Sequence, residues 1–193
     1  VGTPALKIGS LNQGVQVWQT DELSAPVQTL KPPGVTCAVT GLAYLDEQGD
    51  RLLVSSGYDS TNDAQFRIWN VKANSIEKEQ KFNPPTGACV VDVTSDYKLV
   101  AFAAHKSLLI IVKASNLEVL HRLQEKGDEY RCIDVAFSPD GQWLASVEQG
   151  SASREGGRSS RRVETGELVA WLDHSKLWAI ECSANRMHFR IVT

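Results

Sequence analysis

The chain has 193 residues, of which 42% are hydrophobic and 22% charged, a composition typical of a globular domain with a sizeable core. Its 20 basic and 23 acidic residues give a net charge of −3, which argues against a dedicated nucleic-acid binder because such proteins usually carry a strong basic excess. The longest apolar stretch, at 99–112, is interrupted by His105 and Lys106 and is too short to span a bilayer, and the amino terminus lacks a signal-peptide pattern.

Four short segments along the chain share alternating residues, a polar turn and then a new apolar residue. They cover 14–23, 66–77, 108–119 and 160–171. Aligned on these segments, Trp18, Trp69, Ile110 and Arg161 take the same position, at intervals of 51, 41 and 51 residues. A propeller blade takes roughly 40–45 residues, so one interval fits and the other two contain insertions.

A strand–turn–strand pattern recurs within these intervals. The segment 136–146 has Pro139-Asp140-Gly141 as its turn, and 92–102 matches it position for position with Ser95-Asp96-Tyr97. Further copies are found at 43–56, with a longer turn, and at 180–193, while 6–18 provides the second half of another unit. Helical periodicity is nearly absent, and the best helical candidate, 117–126, matches the register of the outer strand in the other copies. The sequence therefore predicts an all-β protein of short antiparallel strands.

Units of this kind predict a β-propeller built of four-stranded antiparallel blades. A single four-stranded sheet of this size cannot bury both of its faces, whereas radial stacking covers each face with a neighbouring sheet. Several small residues that would suit this crowding are Ala101, Ala103, Ala104, Ala136 and Ala145. The alternative is a β-sandwich or barrel whose periodicity is accidental.

Three segments resemble the WD-repeat family. AFSPDGQWLAS at 136–146 resembles its inner hairpin, 9–18 resembles its segment ending at the characteristic tryptophan, and 171–193 resembles a repeat opening. The resemblance implies a non-catalytic protein–protein interaction scaffold, a subunit of a multiprotein complex. A cytoskeletal or ciliary, microtubule-associated subunit is the alternative function. No intact Gly-His or Trp-Asp dipeptide is present, so the repeats are divergent.

The resemblance also implies a polar network inside the blades, because the family joins a His, a Ser or Thr, an Asp and the Trp by hydrogen bonds. The residues that match its positions are Ser10, Trp18, Asp59, Trp69, His174 and Thr193. Only parts of the network are matched in any one repeat. We therefore expect the fold to depend more on apolar packing than on these polar contacts.

The repeats divide the single propeller region 1–193 into about four blades. These are a half blade at 5–18, full blades at about 25–70, 74–112 and 117–163, and a partial blade at 168–193. Since a typical family member has about seven blades, we expect a fragment of a larger propeller, completed by the remainder of its own chain or by a second chain. A closed ring of four blades is the alternative.

No catalytic, cofactor-binding or metal-binding motif is recognisable. The four cysteines are 52, 43 and 50 residues apart, which suits small buried residues in a reducing, cytoplasmic compartment rather than a zinc site. A nuclear or cytoskeletal location is also compatible with this pattern. We therefore expect no cofactor, no metal and no enzymatic activity, with protein partners rather than nucleic acid or membrane. A propeller enzyme with a site in its central channel stays as a third hypothesis.

Two insertions, 57–65 and 148–162, lie between the third and fourth strands of a repeat. They contain the candidate partner-binding residues Tyr58, Asp59, Arg154, Arg158, Arg161 and Arg162. Arginines among serines and glycines suggest a mobile basic loop that binds an acidic peptide, a phosphate or a tubulin-like surface. The alternative is a solvated loop with no binding role.

Overall fold

The structure is a computed structural model, and it describes the parts of the chain that form and connect its strands. These are residues 5–10, 14–19, 24–31, 38–57, 65–81, 88–104, 108–124, 131–149, 157–165, 168–173, 179–183 and 186–190. Every regular element within these ranges is a β-strand, so the predicted all-β class is confirmed and the strand at 119–124 replaces any helix at 117–126. No helix long and apolar enough to cross a membrane occurs in these ranges.

Seventeen strands follow one another within the residues that the structure describes. They are β1 (Ala5–Ser10), β2 (Gly14–Gln19), β3 (Gln28–Leu30), β4 (Ala38–Tyr44), β5 (Arg51–Gly57), β6 (Gln65–Asn70), β7 (Ser75–Lys81), β8 (Ala88–Val93), β9 (Leu99–Ala104), β10 (Leu108–Lys113), β11 (Val119–Gln124), β12 (Arg131–Phe137), β13 (Trp143–Gln149), β14 (Gly157–Arg162), β15 (Leu168–Asp173), β16 (Ala179–Ser183) and β17 (Arg186–Arg190).

The strands form antiparallel meanders, and within each sheet every strand pairs with the next one along the chain. Three sheets have four strands, β4 to β7, β8 to β11 and β12 to β15, while β1 to β3 and β16 with β17 form smaller sheets. In such a meander the first and third turns lie at one end of the strands, and the middle connection lies at the opposite end. The end of a sheet that carries the first and third turns is called the turn edge below.

Burial distinguishes the strands within a sheet. The third strands β6 and β10 are buried along most of their length, as expected for strands covered on both faces. The outermost strand β7, with the sequence SIEKEQK, is largely exposed and charged. Charged side chains on an edge strand oppose pairing with another chain, so β7 closes its sheet without inviting aggregation.

The chain divides into two compact units, 1–88 and 89–193. In the first unit the sheet β1 to β3 packs on the sheet β4 to β7 through one apolar cluster. Its buried members are Val15, Val17, Leu30, Leu52, Val54, Trp69 and Val71. Both sheets contribute side chains to this cluster, and their burial removes apolar surface from water.

In the second unit the sheets β8 to β11 and β12 to β15 share a cluster of their own. Its buried members are Ala101, Ala103, Leu109, Ile111, Cys132, Val135, Phe137, Leu144 and Val163. Ala101 and Ala103 are fully buried, as the crowding of stacked sheets predicts. Cys132 is a fully buried member of this cluster, which confirms for this cysteine the expected burial of a small side chain.

The hydrogen bonds correct one position of the sequence alignment. A bulge shifts the pairing at Trp69 in β6, at Val112 in β10 and at Arg161 in β14. The counterpart of Trp69 is therefore Val112 and not Ile110, so the alignment was wrong by two residues in this repeat. The alignment superposed Val71 on Val112 because the sequence Val-Lys-Ala follows in both repeats. The hydrogen bonds instead make Ala114 the counterpart of Val71, since the backbone N–H groups of these two residues close equivalent turns.

The hydrogen-bonded sheets divide the chain differently from the repeats. The four-stranded sheets cover 38–81, 88–124 and 131–173, whereas the intervals 25–70, 74–112 and 117–163 each begin with the outermost strand of the preceding sheet. A sequence repeat is thus displaced by one strand from a sheet, so consecutive sheets share the residues of a repeat. The assignment of 1–193 to one propeller region stays a prediction.

Glu79→Ala is expected to destabilise the protein by about 2 kcal/mol. The Arg67 side chain is only 3% exposed and pairs with Glu79 at 2.7 Å, so losing the carboxylate leaves a buried charge. A fully buried pair would cost about 3–5 kcal/mol, but Glu79 is 44% exposed. Urea unfolding measures the change. The control is Glu77→Ala on the same strand, whose partner Arg51 is 30% exposed, so the loss should be under about 1 kcal/mol. Equal losses for the two variants would contradict the prediction.

Candidate functional site

The turn between β12 and β13 is closed by its own side chains. The Ser138 hydroxyl donates to Asp140 Oδ1 at 2.5 Å and accepts the backbone N–H of Trp143 at 2.9 Å. Asp140 Oδ1 also accepts the Gln142 N–H at 3.0 Å. Because Ser138 is buried while Asp140 is exposed, these bonds fix the carboxylate at the surface of the turn edge.

The turn between β8 and β9 repeats this arrangement with different residues. The Thr94 hydroxyl donates to Asp96 Oδ1 at 2.8 Å and accepts the Leu99 N–H at 3.1 Å. Asp96 Oδ1 also accepts the Lys98 N–H at 3.1 Å. The predicted position-for-position match of 92–102 with 136–146 is thereby confirmed, and it extends to the hydrogen bonds.

Two hydrogen bonds join these neighbouring hairpins directly. The exposed Ser95 hydroxyl donates to the Pro139 carbonyl at 2.8 Å, and the Phe137 N–H donates to Asp92 Oδ2 at 2.6 Å. β12 is the first strand of its sheet and has no ladder partner on that side. Asp92 therefore supplies the acceptor that the edge of the sheet lacks, and it fixes the spacing between the two hairpins.

An open cleft of ≈ 280 Å³ lies between the two turns. It is lined by Thr94, Ser95, Asp96, Lys98, Leu99, Asp140 and Gly141. Hydrogen bonds from Lys98 and from the Thr94 hydroxyl lower the pKa of Asp96 to about 2. Hydrogen bonds from Ser138 and Gln142 lower the pKa of Asp140, and Asp96 raises the pKa of Lys98. At neutral pH the cleft therefore holds two carboxylates and one ammonium group.

These charges favour recognition over proton transfer. A carboxylate with a pKa of about 2 is a weak general base at neutral pH and carries no proton to donate. Lys98 is tied to Asp96 at 2.9 Å and stays protonated. Within the part of the chain that the structure describes, no three His, Cys, Asp or Glu residues lie close enough to hold a metal ion. The cleft is therefore suited to attract a charged group of another molecule.

The predicted basic loop is shorter in the structure than in the sequence interpretation. Arg158, Arg161 and Arg162 lie in the strand β14, so their placement in a loop was wrong, because 157–162 pairs with both β13 and β15. Arg158 pairs with Val147, whereas Arg162 pairs with Trp143 next to the turn edge. The two arginines thus lie near opposite ends of one strand. Arg154, Tyr58 and Asp59 lie outside the described residues.

Arg162 is brought onto an aromatic ring at the turn edge. Its guanidinium carbon lies 5.4 Å from the centre of the Trp143 ring, within the range of a cation–π interaction. The Arg162 side chain is exposed and Trp143 is partly buried. The ring therefore holds the guanidinium in a defined orientation while its charge stays accessible to a partner.

The predicted polar network is described only in part. Trp69 is buried in the apolar cluster of the first unit, and Trp18 lies in β2, at the third-strand position that the alignment gave it in the first repeat. The Trp18 Nε1 atom is buried and has no hydrogen-bond acceptor among the residues described. Ser10 ends β1, and its backbone pairs with Gly14. Three further members, Asp59, His174 and Thr193, lie outside the described ranges, so the network stays a prediction.

Two functional candidates were missed at the level of sequence. No pattern in the sequence singles out Asp92, whose carboxylate accepts the Phe137 backbone N–H at the edge of the next sheet. Tyr97 was counted only as a turn residue, although the alignment of the two hairpins already placed it opposite Gly141. That mismatch, a tyrosine where the matching turn has a glycine, was the available signal.

The chain has the fold of WD40 β-propeller domains. Two solved structures match it at 94% of its length: the WD40 propeller domain of Doa1, with a TM-score of 0.71 and 15% identity, and the propeller domain of Cps50 (Swd1) from Myceliophteria thermophila, with a TM-score of 0.73 and 16% identity. The chain spans 55% and 60% of those two structures. Comparison of the sequence with protein-family models gives no match, and comparison with curated proteins gives none either.

Asp92→Asn is expected to gain stability relative to the wild type as the pH rises. Burial raises the pKa of Asp92 in the folded protein, so the protonated carboxyl group stabilises the fold relative to the ionised one. This contribution to the free energy of unfolding is complete below the ordinary pKa of 3.8 and is lost as the pH rises through the raised pKa. The neutral amide keeps an oxygen for the Phe137 N–H and has no such pH dependence. Urea unfolding from pH 4 to pH 7 tests this, and a constant difference between the two proteins would contradict it.

Asp92→Ala provides the matched comparison, because it removes the charge and the acceptor together. The Phe137 N–H is then left without its partner, which costs about 1–3 kcal/mol when a buried donor is unsatisfied. We expect this variant to be less stable than both the wild type and Asp92→Asn at pH 7.

Proposed function

We propose that the chain is a non-catalytic scaffold of the WD-repeat type, which binds other proteins as a subunit of a multiprotein assembly. The observation that carries this proposal is the turn edge of the second unit, where charged groups are exposed on turns that hydrogen bonds make rigid. A rigid surface loses little conformational entropy when a partner binds, which favours recognition.

The chemistry of the turn edge supports a binding role. Asp96 and Asp140 stay ionised, and Arg162 is oriented by Trp143 without losing its exposure. Fixed charges of both signs select a partner with complementary charges and speed its association. Since the chain carries a net charge of −3, we propose protein partners rather than nucleic acid.

The six residues selected from the sequence enter the proposal as separate candidates for contact with a partner: Tyr58, Asp59, Arg154, Arg158, Arg161 and Arg162. Because Arg158 and Arg162 lie near opposite ends of β14, they would contact different parts of a partner. Their contributions should therefore be separable, and each arginine can be tested by its own variant.

Arg162→Glu is expected to lower the affinity for a captured partner about ten-fold or more, because it reverses an exposed charge that Trp143 positions. The tagged chain is used to capture proteins from a native extract, and the bound proteins are quantified for wild type and variant by mass spectrometry. Arg162→Lys, which keeps the charge but not the planar group, should lie between them.

Arg122→Glu on β11 is the control, since Arg122 is also exposed and lies in the same unit. It should leave capture unchanged, and the unfolding curves of all three variants should match the wild type within about 0.5 kcal/mol. A wild-type chain that enriches no protein over the Arg162→Glu variant would contradict the role of Arg162. A chain that captures no protein at all would contradict the scaffold function itself.

A further inference from the structure

Tyr97 has a backbone conformation that its side chain disfavours. Its φ angle is 57°, in the left-handed region, and its backbone N–H donates to the Thr94 carbonyl at 2.8 Å. In the first hairpins of the other two four-stranded sheets, the residue that donates its backbone N–H across the turn in the same way is a glycine, Gly141 with φ 70° and Gly49 with φ 73°. Glycine adopts this region without a steric penalty, whereas a bulky residue there is strained.

Two other non-glycine residues with positive φ have an evident compensation. Asn74, with φ 50°, is of the residue type that tolerates this region best. Leu117, with φ 60°, is fully buried, so the burial of its side chain offsets the strain. Tyr97 has neither compensation, because its side chain is 38% exposed. The fold of this hairpin thus gains little from a tyrosine.

The position of Tyr97 relates the strained residue to the cleft. Asp96 and Lys98, on either side of Tyr97 in the chain, line the cleft together with Asp140 from the opposite turn, while Tyr97 itself lies beside the cleft and is not part of its lining. Asp96 is balanced by Lys98 at 2.9 Å, so Asp140 supplies the excess negative charge. Hydrogen bonds from the described chain reach only the Oδ1 atom of Asp140, which leaves Oδ2 for another molecule.

We propose that Tyr97 and Asp140 form a docking site for a short segment of a partner protein that carries an arginine or lysine side chain, an inference that rests on the proposed scaffold function. The cation pairs with the free oxygen of Asp140, and the segment packs on the exposed ring of Tyr97. An aromatic ring and a carboxylate both attract a cation, whereas they repel an acidic peptide or a phosphate. Exposed tyrosines are frequent anchors of protein interfaces.

The strain at Tyr97 is consistent with this role. Strained backbone conformations cluster at binding sites, where a residue is kept for recognition in spite of its cost to stability. The two hydrogen bonds that join the hairpins hold the cleft at a fixed width, so Tyr97 and Asp140 stay in place before a partner arrives. The site therefore needs no rearrangement of the backbone for binding.

The experiment uses Tyr97→Gly, which relieves the strain and removes the ring together. The whole chain is immobilised and a library of random short peptides is selected on it. Enriched peptides are then synthesised and their affinities measured for wild type, Tyr97→Gly and Asp140→Asn. We expect them to carry Arg or Lys and to bind each variant about ten-fold more weakly or worse. The melting temperature of Tyr97→Gly should equal or exceed that of the wild type.

Asn74→Gly is the matched control, because it also replaces a positive-φ residue by glycine but lies in another turn. It should leave peptide affinity unchanged. Peptides that bind Tyr97→Gly and Asp140→Asn as tightly as the wild type would overturn the site, as would an acidic consensus, a failure to enrich any peptide or a lowered melting temperature of Tyr97→Gly. The scaffold function is judged separately by the capture of proteins from the native extract, so the two can fail independently.

Discussion

Each of the three four-stranded sheets buries apolar side chains on both faces, so it is stable only when neighbouring structure covers it. In the second unit, Ala101 and Ala103 of one sheet are fully buried together with Val135 and Phe137 of the next. Small side chains on one face and larger ones on the other allow close approach without voids. In the first unit Trp69 and Leu30 belong to the equivalent cluster. Packing of this kind sets the positions of the strands and therefore of the turns that they carry.

The hairpin turns show how a constant backbone tolerates different side chains. Ser138 and Thr94 close two turns through their hydroxyl groups, whereas Asp46 closes a longer one by accepting the N–H groups of Asp50 and Arg51 with its two carboxylate oxygens. In each case a side-chain oxygen satisfies backbone donors that the strands leave unpaired. Asp96 and Asp140 also accept a backbone N–H in their turns, whereas turn residues whose side chains make no such bond can vary without loss of the fold.

Most residues that stabilise the turns differ from those proposed for recognition, although Asp140 has both roles because its Oδ1 atom also closes its own turn. The buried hydroxyls hold the turns, while Asp140, Tyr97 and Arg162 face solvent at the turn edge of the second unit. Their charges and rings are oriented by the hydrogen bonds and by the stacking on Trp143. A surface of this kind can bind a partner through preformed groups. Its specificity would depend on a few residues in turns, as in other proteins whose function lies on loops held by a rigid scaffold.

The amino-acid sequence by itself determined the strands, the hairpins and the kinship of their turns, because alternation and turn residues such as Pro139-Asp140-Gly141 are local signals. It also indicated the WD-repeat fold. It did not determine whether Ile110 or Val112 is the counterpart of Trp69, since the choice depends on the position of a bulge in the strand pairing. Only the tertiary structure paired Asp92 with the Phe137 N–H, placed Arg162 on Trp143 and separated Arg158 from it. These contacts join residues that are distant in the chain or depend on strand pairing, and no local pattern encodes them.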